Sequence, residues 1–562
     1  MIKFFKNNIH LILVLLLAFP AVLALLHKGF YGASDDLHIA WLFEMDKIIK
    51  LGQIPPRFVP DLSFGFGYPL FNFVFPLPFY LGEIFHFTGF SLVDGIKIVF
   101  AISLIGSGLA MYILLKEIIS KELSLVGSLI YIYTPYRSTD VYIRGAIGEA
   151  LSFVFLPILV YSVIKIYKDC KIKSGIQYKN ISILGLSLGA LILTHDIVSY
   201  MFFPFLLLLI LVFVLTIKGS KKVFILNSLV GIFLGLLLSI YFWLPAIIES
   251  TLMAYGTVFD FKDHFPAIKQ LITPYFGYGA SVPGPYDGMS FFMGALNIAL
   301  IISGSILTLF FWRRISKIGK IVILWAFGVL LISLFMMNHR STPFWNILPF
   351  VPYFQFPWRF LTLTTFTSIL FLIPLMSFEN KFVKWVIPGV LVVLVLVLNV
   401  GYFKPHDFLE RDDSYYIDRY IPTPEPSKEY LKLEEEYLRL PKGALMRPKM
   451  VYPIIFSGQE VSYKVINTNG IYSKIGLSLK EDQVISYNKY YFPGWYAKID
   501  GREVEVVGGK PFGQVSVRVP KGEHVLEFNF REVPYKVVLD LVSVSALALS
   551  LVFAFKSKKN NV

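Results

Sequence analysis

One cysteine, Cys170, stands among 562 residues, which excludes an intramolecular disulfide and a cysteine-based metal cluster. Charge is also scarce, at 16% of residues, and acid scarcer than base, with 38 Asp and Glu against 52 Lys and Arg. No P-loop, no GxGxxG after a strand, no HExxH and no EF-hand loop occurs. The net charge of +14 is not gathered into a basic patch with an RNA- or DNA-binding motif, so nucleic acid is not an implied partner. What the chain has in abundance is apolar surface: 56% hydrophobic residues, 53 of them Phe, and a mean hydropathy of +0.64. Uncharged runs of about 17–25 residues recur, each long enough to span about 30 Å of hydrocarbon. The pattern predicts a polytopic α-helical membrane protein.

Candidate spans lie at 8–26, 95–115, 122–134, 148–167, 181–197, 200–217, 223–247, 291–312, 318–337, 360–378, 382–403 and 536–555. The first has a basic start, MIKFFK, and no cleavage site closely behind it, so it reads as a retained span. Segment 69–88, PLFNFVFPLPFYLGEIFHFT, is apolar but broken by Pro69, Pro76 and Pro78, which favours a dip at the interface over a crossing. Lys168, Lys171, Lys173, Lys179, Lys218, Lys221, Lys222, Arg313, Arg314, Lys317, Lys320, Lys381, Lys384 and the tail lysines 556, 558 and 559 fall on one set of loops. The positive-inside rule puts these in the cytoplasm, along with both termini, which about twelve spans satisfy.

The opposite face then receives the first loop 27–94, the loop 135–147, the turn at Thr194–Asp196, the loops 248–290 and 338–359, and residues 404–535. After SDDLH the first loop reads as an amphipathic helix in the interface plane, with Leu37, Trp41, Leu42, Met45, Ile48 and Ile49 on one arc. Asp35, Asp36, Glu44, Asp46, Lys47 and Lys50 lie on the other arc, and Gly52 is the expected stop. Residues 404–535 are expected to hold a short helix in LKLEEEYLRL, then short strands (VSYKVI, KIGLSLK, QVISY, YAKIDG, REVEVV, QVSVRV, HVLEFNF) of a β-sandwich. The division is thus 1–403 transmembrane, 404–535 an extracytoplasmic β-rich domain, and 536–562 a closing span with a basic tail.

Asp35 and Asp36 admit two readings. Ser34 can cap the helix, with the acids favouring its dipole. Alternatively Asp35, Asp36 and His38 form an acid–imidazole site at the interface, as a general base or a donor-holding group. On the same face, TPYRSTDVYIRGAIGEA supplies Arg137, Asp140, Arg144 and Glu149; NHRSTPFW supplies His339 and Arg340; FQFPWRFL supplies Gln355, Trp358 and Arg359. Any one of these arginines reads as an interfacial snorkelling residue. Several opposite paired acids point to a phosphate site, since the guanidinium fork bonds two oxygens at once. His195-Asp196 reads as a turn between helices before it reads as catalysis, and Trp495 as a core residue before a sugar-stacking one.

The ordered set SDDLH, GQIPPRF, YPLFNFVFPLPFYL, YIRGAIGEA, QFPWRFL and YYFPGWYAKIDGREV with VPKGEHVLEF resembles membrane glycosyltransferases of the GT-C superfamily. Within them it is most similar to bacterial YfhO-type membrane proteins and those labelled 6-pyruvoyl-tetrahydropterin synthase-related, over nearly the whole length. The resemblance implies a sugar donor on a polyprenyl phosphate, used on the outer face of the cell membrane, and an envelope glycan, lipid or polymer acceptor. It implies that Asp35 or Asp36 is the base and that Arg340 and Arg359 bind the donor phosphate. No cofactor is implied; a divalent ion bridging an acid and a phosphate stays open. The competing expectation is a non-catalytic envelope scaffold or a transporter of lipid-linked material. A transporter should carry internal repeats and mid-membrane charges, and neither is visible.

Overall fold

The computed structural model describes residues 2–170, 175–254, 260–348, 350–378, 381–421 and 440–559. Among the described residues, eight helices are long and apolar enough to cross a membrane: Asn8–Leu26, Leu92–Lys116, Ile147–Asp169, Asp196–Thr216, Lys221–Leu238, Lys317–Met336, Pro357–Ser377 and Pro534–Lys556. Shorter apolar helices, Tyr178–Thr194, Ile240–Leu252, Ala295–Phe311 and Val386–Tyr402, fill the bundle between them. Leu541, Val544 and Phe555 of the closing helix stand exposed, as lipid-facing side chains should. The chain is a multi-pass membrane protein.

Two expected spans look different in detail, and the segment expected only to dip is broken. Segment 122–134 is the helix Lys121–Tyr133, whose 13 residues reach only about 20 Å and are packed inside the bundle. Segment 223–247 is two helices, Lys221–Leu238 and Ile240–Glu249, meeting at Ser239, whose amide and hydroxyl both donate to the Gly235 carbonyl, at 3.3 and 2.9 Å. Segment 69–88 forms two short helices, Leu70–Phe73 and Leu77–Phe87, as its prolines dictate. Basic side chains tie the turns at one end of the bundle together. Lys168 donates to the Glu117 carbonyl at 2.7 Å, Lys317 to the Thr216 carbonyl, and Lys556 lies 4.5 Å from the centre of the Tyr178 ring.

The first-loop helix is His38–Lys50, closed by Gly52 at φ +87°, the left-handed stop the sequence marks. It does not lie free in the interface. Its polar side is roofed by Leu77–Phe87 and by the loop 58–68, so Glu44 and Asp46 are buried with Lys47 paired to Asp61. Ser34 is not its cap; the Ser34 amide and hydroxyl both point to the Ile143 carbonyl, at 3.0 and 3.4 Å.

The β-rich domain is a sandwich of two antiparallel sheets. One holds Ile455–Phe456, Gln483–Tyr490, Gln514–Val519 and Val507–Gly509 in that order. The other holds Ser462–Thr468, Tyr472–Leu479, Gly522–Phe530, Trp495–Ile499 and Arg502–Val504. Alternate residues such as Ile475, Leu477, Val515, Val517 and Leu526 point into a shared core, where Tyr487 stacks on Phe528 at 4.6 Å. Trp495 is part of that core, against Phe58 and Phe530. The loop 57–66 mortars the sandwich to the bundle. The Lys489 ammonium donates to the carbonyls of Pro60 and Gly65, and Ser63 and Tyr490 share a hydroxyl bond of 2.9 Å. Arg57 reaches Glu532 at 3.1 Å and Asp540 at 2.8 Å.

Residues 404–421 belong to neither sheet. Phe408–Arg411 pairs with Phe30–Tyr31, and the helix Asp413–Tyr420 lies on the first-loop helix. The Asp413 carboxylate accepts the amides of Leu92 and Val93, both at 2.9 Å, capping the next long helix. The expected helix in LKLEEEYLRL falls, apart from Leu440, outside the described residues.

Candidate functional site

The turn before Ile147–Asp169 assembles the charged centre. Thr139–Arg144 forms a π-type turn that Gly145 ends at φ +69°, with the Ala146 amide closing on the Asp140 carbonyl at 2.9 Å. This folds Arg144 back, so that Nη1 donates to the Asp140 carboxylate and, at 2.7 Å, to Glu149 Oε2. Glu149 Oε1 accepts from the hydroxyls of Tyr136 and Thr362, each at 2.6 Å. Arg359 enters from the far half of the chain, its Nε 3.8 Å from Glu149 Oε2. Trp358 floors the centre, with the Arg144 guanidinium 4.6 Å from its ring.

Arg359 is aimed by the residues just before it. Its Nη1 donates to the Phe354 carbonyl at 3.0 Å and to Gln355 Oε1 at 2.9 Å. Gln355 sits at φ +67°, ψ −53°, and the Phe356 amide closes on the Phe354 carbonyl at 2.7 Å: a three-residue γ-turn in a sparsely populated conformation. Two guanidinium groups therefore converge on one carboxylate. Burial, then the charge of Glu149, push the Asp140 carboxyl well above its usual range, against the pull of Arg144, and its second oxygen is sealed without a partner.

The acidic pair of the first loop splits across this centre. The Asp35 amide donates to the Arg144 carbonyl at 2.7 Å, and Asp35 acts electrostatically on the Arg144 guanidinium. Asp36 turns the other way. Its carboxylate accepts from the Tyr420 hydroxyl and lies 4.0 Å from Arg419 Nε, both on the helix Asp413–Tyr420. Burial pushes the Asp36 carboxyl up, against the pull of Tyr420 and Arg419.

Two histidines line the edge. His38 lies edge-on to Trp41 and Phe79, with ring centroids 5.4 and 5.7 Å apart. His195 stacks on Phe75 at 5.1 Å, and its Nδ1 accepts the Val198 amide at 3.2 Å, capping Asp196–Thr216. Gly148 makes this approach possible, since a Cβ there would come within 2.6 Å of the Phe75 ring and 2.7 Å of the Thr194 carbonyl.

Of the residues singled out in the sequence, the fold thus gathers Asp35, Asp140, Arg144, Glu149, Gln355, Trp358 and Arg359, with His38 at the rim. Asp36 serves the 413–420 helix. Arg137 is elsewhere: it is fully buried in the bundle, bonded to the carbonyls of Ala150 (3.0 Å) and Ser103 (3.1 Å) and to Ser107 Oγ (3.1 Å), with Phe153 beneath it. It neither snorkels nor lines the centre. His339 and Arg340 stand exposed on the turn after Lys317–Met336, and no contact joins their side chains to Arg144, Glu149 or Arg359. Tyr136, Thr362, Arg419 and Tyr420 went unmarked in the sequence, and His195 read as a bare turn. Tyr136 and Thr362 carry no signal beyond their proximity to Arg137 and Arg359 in the chain. Among the described residues, no group of three or more His, Cys, Asp or Glu is arranged to hold a metal ion.

No family model matches the sequence. An uncharacterized protein of Lactococcus lactis subsp. cremoris is 24% identical over 229 residues, covering 39% of this chain and 36% of its own length. Two structures of the arabinofuranosyltransferase AftD from Mycobacteria, one of a mutant, superpose with TM-scores of 0.46 and 0.42 at 12% and 14% identity. They cover 74% and 73% of this chain, which spans 29% and 28% of theirs. Superpositions at that level carry no weight of their own, and the functional reading rests on the side chains.

Proposed function

We propose that the chain is a membrane glycosyltransferase that moves a sugar from a polyprenyl-phosphate donor to an envelope glycan, lipid or polymer acceptor on the outer face of the cell membrane. The observation that carries this reading is the convergence of Arg144 and Arg359 on Glu149, with Asp35 held against Arg144. In the proposed reaction the Asp35 carboxylate takes the proton of an acceptor hydroxyl. The acceptor oxygen forms a bond to the anomeric carbon, and the bond from that carbon to the phosphate oxygen breaks. The electron pair leaves on the polyprenyl phosphate, whose growing charge Arg144 and Arg359 stabilise. Asp36 holds the 413–420 helix in place, so of the two acids Asp35 is the base.

An apolar cavity of about 330 Å³, lined by Ile268, Leu271, Met293, Ile298, Ile301 and Met337, suits part of an isoprenoid tail. Met293 of its lining is two residues along the chain from Phe291, which stacks on Trp358 at 5.7 Å, and Trp358 lies under Arg144. The basic turns at the opposite end of the bundle support an outward-facing site under the positive-inside rule.

A second reading, a non-catalytic envelope scaffold, is favoured by one feature: Arg144 and Arg359 already have protein acceptors in Asp140, Glu149, Phe354 and Gln355. The two readings separate in membranes that supply the acceptor. Release of polyprenyl phosphate from a panel of polyprenyl-phosphate sugars should require the wild-type protein and fail with Asp35→Asn. Equal release by both sinks the transferase reading.

A further inference from the structure

Resting on that reading, we propose that His195 is a neutral hydrogen-bond donor of the site, presenting Nε2–H to the phosphate that Arg144 and Arg359 hold. Three features of the fold lead there. The Val198 amide donates to Nδ1 at 3.2 Å, so Nδ1 is an acceptor and the ring proton sits on Nε2. Stacking on Phe75 at 5.1 Å, with 24° between the planes, fixes the ring, and the close approach at Gly148 sets that stack against the start of the helix carrying Glu149. Finally, the residue is only 5% exposed, yet no protein acceptor meets Nε2 among the described residues. Nε2 is not among the polar atoms sealed from solvent, so an incoming acceptor can reach it.

The charged groups around the ring favour the neutral form. Arg359 and Arg144 oppose a third positive charge, His38 adds to that opposition, and Glu149, which would favour it, is already bonded by Arg144, Tyr136 and Thr362. Burial comes first among the causes, and together they pull His195 down to about 3. The helix Asp196–Thr216, whose N-terminus the ring caps, adds its dipole in the same sense. A donor that stays neutral binds phosphate with no proton exchange of its own, and it keeps its geometry in an acidic envelope.

Two substitutions separate the roles of the two nitrogens. Asn offers an acceptor near the place of Nδ1, so His195→Asn keeps the cap and loses the donor. Gln offers an amide near the place of Nε2, so His195→Gln keeps the donor and loses the cap. Binding of farnesyl phosphate and of inorganic phosphate to the full-length protein in detergent, measured by titration calorimetry, should show affinity about tenfold or more weaker for His195→Asn at an unchanged melting temperature. His195→Gln should bind near the wild-type affinity and melt earlier. Wild-type affinity in His195→Asn overturns the proposal. So does a ¹⁵N spectrum of the wild-type protein showing a doubly protonated His195 ring at pH 5, a measurement that needs no variant. Tighter binding of farnesyl phosphate than of inorganic phosphate assigns the anion to a lipid headgroup. Equal binding with the same loss in His195→Asn keeps the donor role and counts against the polyprenyl donor. Loss of sugar transfer in Asp35→Asn alongside full binding by His195→Asn leaves the transferase standing and removes this inference alone.

Discussion

The Asp35 amide donates to the Arg144 carbonyl at 2.7 Å, joining the start of the first loop to the turn that carries the charged centre. Asp36, its neighbour, is bound instead by Tyr420 and Arg419. The two acids should therefore fail differently. Asp35→Asn is expected to melt like the wild type and to lose about 10²–10⁴-fold in transfer rate. Asp36→Asn is expected to keep measurable transfer while losing about 1–2 kcal/mol of stability, since it removes the charge opposite Arg419. Thermal melts and initial rates on the two proteins decide it; reversed phenotypes would assign the base to Asp36.

Glu149 is the one carboxylate shared by both site arginines. Glu149→Gln removes the counter-charge that two buried cations share and should cost about 3–5 kcal/mol. Thr362→Val removes a single hydroxyl donor to the other oxygen of that carboxylate, Oε1, and should cost about 1–2 kcal/mol. Added phosphate should raise the melting temperature of Glu149→Gln more than that of the wild type, because an anion binds the two guanidinium groups only in the folded state.

Gly148 lies where the helix start meets Phe75 and the Thr194 carbonyl. Gly148→Ala forces backbone apart from backbone there and should cost about 1–3 kcal/mol. The displacement would also move His195, so phosphate affinity should fall with stability. A Gly148→Ala protein that melts and binds like the wild type would show that the approach is looser than described.

Lys489 is buried between the sandwich and the loop carrying Pro60 and Gly65. Burial pulls its ammonium down to about 8 from the ordinary 10.5, against the opposing charges of Asp61 and Glu44. The folded value lies below the unfolded one, so the stability this lysine contributes is full above pH 10.5 and is lost as the pH falls through about 8. The difference in melting temperature between wild type and Lys489→Met should accordingly shift in favour of the wild type between pH 8 and pH 10. A difference that stays flat across that window would contradict the buried charge.

Much of this was readable from the chain because the signals are local. An apolar run long enough to cross hydrocarbon needs no partner to be recognised, and neither does the period-two alternation in KIGLSLK or QVSVRV. Gly52 marked the end of the first-loop helix, and Asp35, Arg144, Glu149 and Arg359 were marked by charge near span ends. The rest depends on distant partners. Helical periodicity finds the polar face of His38–Lys50 but not the loop carrying Asp61 that roofs it. Tyr420 meets Asp36 from 384 residues away, and no spacing rule reaches that far. Arg137 near a span end looks like a snorkelling residue until Ser103, Ser107 and Ala150 close around it. Ser239 gives no warning that one helix ends and another begins there.

The most direct test is a structure of the full-length protein with farnesyl phosphate bound. The account predicts phosphate density between Arg144 and Arg359 within hydrogen-bond reach of His195 Nε2, and a tail running over Trp358 toward Met293. Phosphate bound at the exposed Arg340, or a bound lipid that leaves the Arg144–Glu149–Arg359 centre untouched, would contradict it.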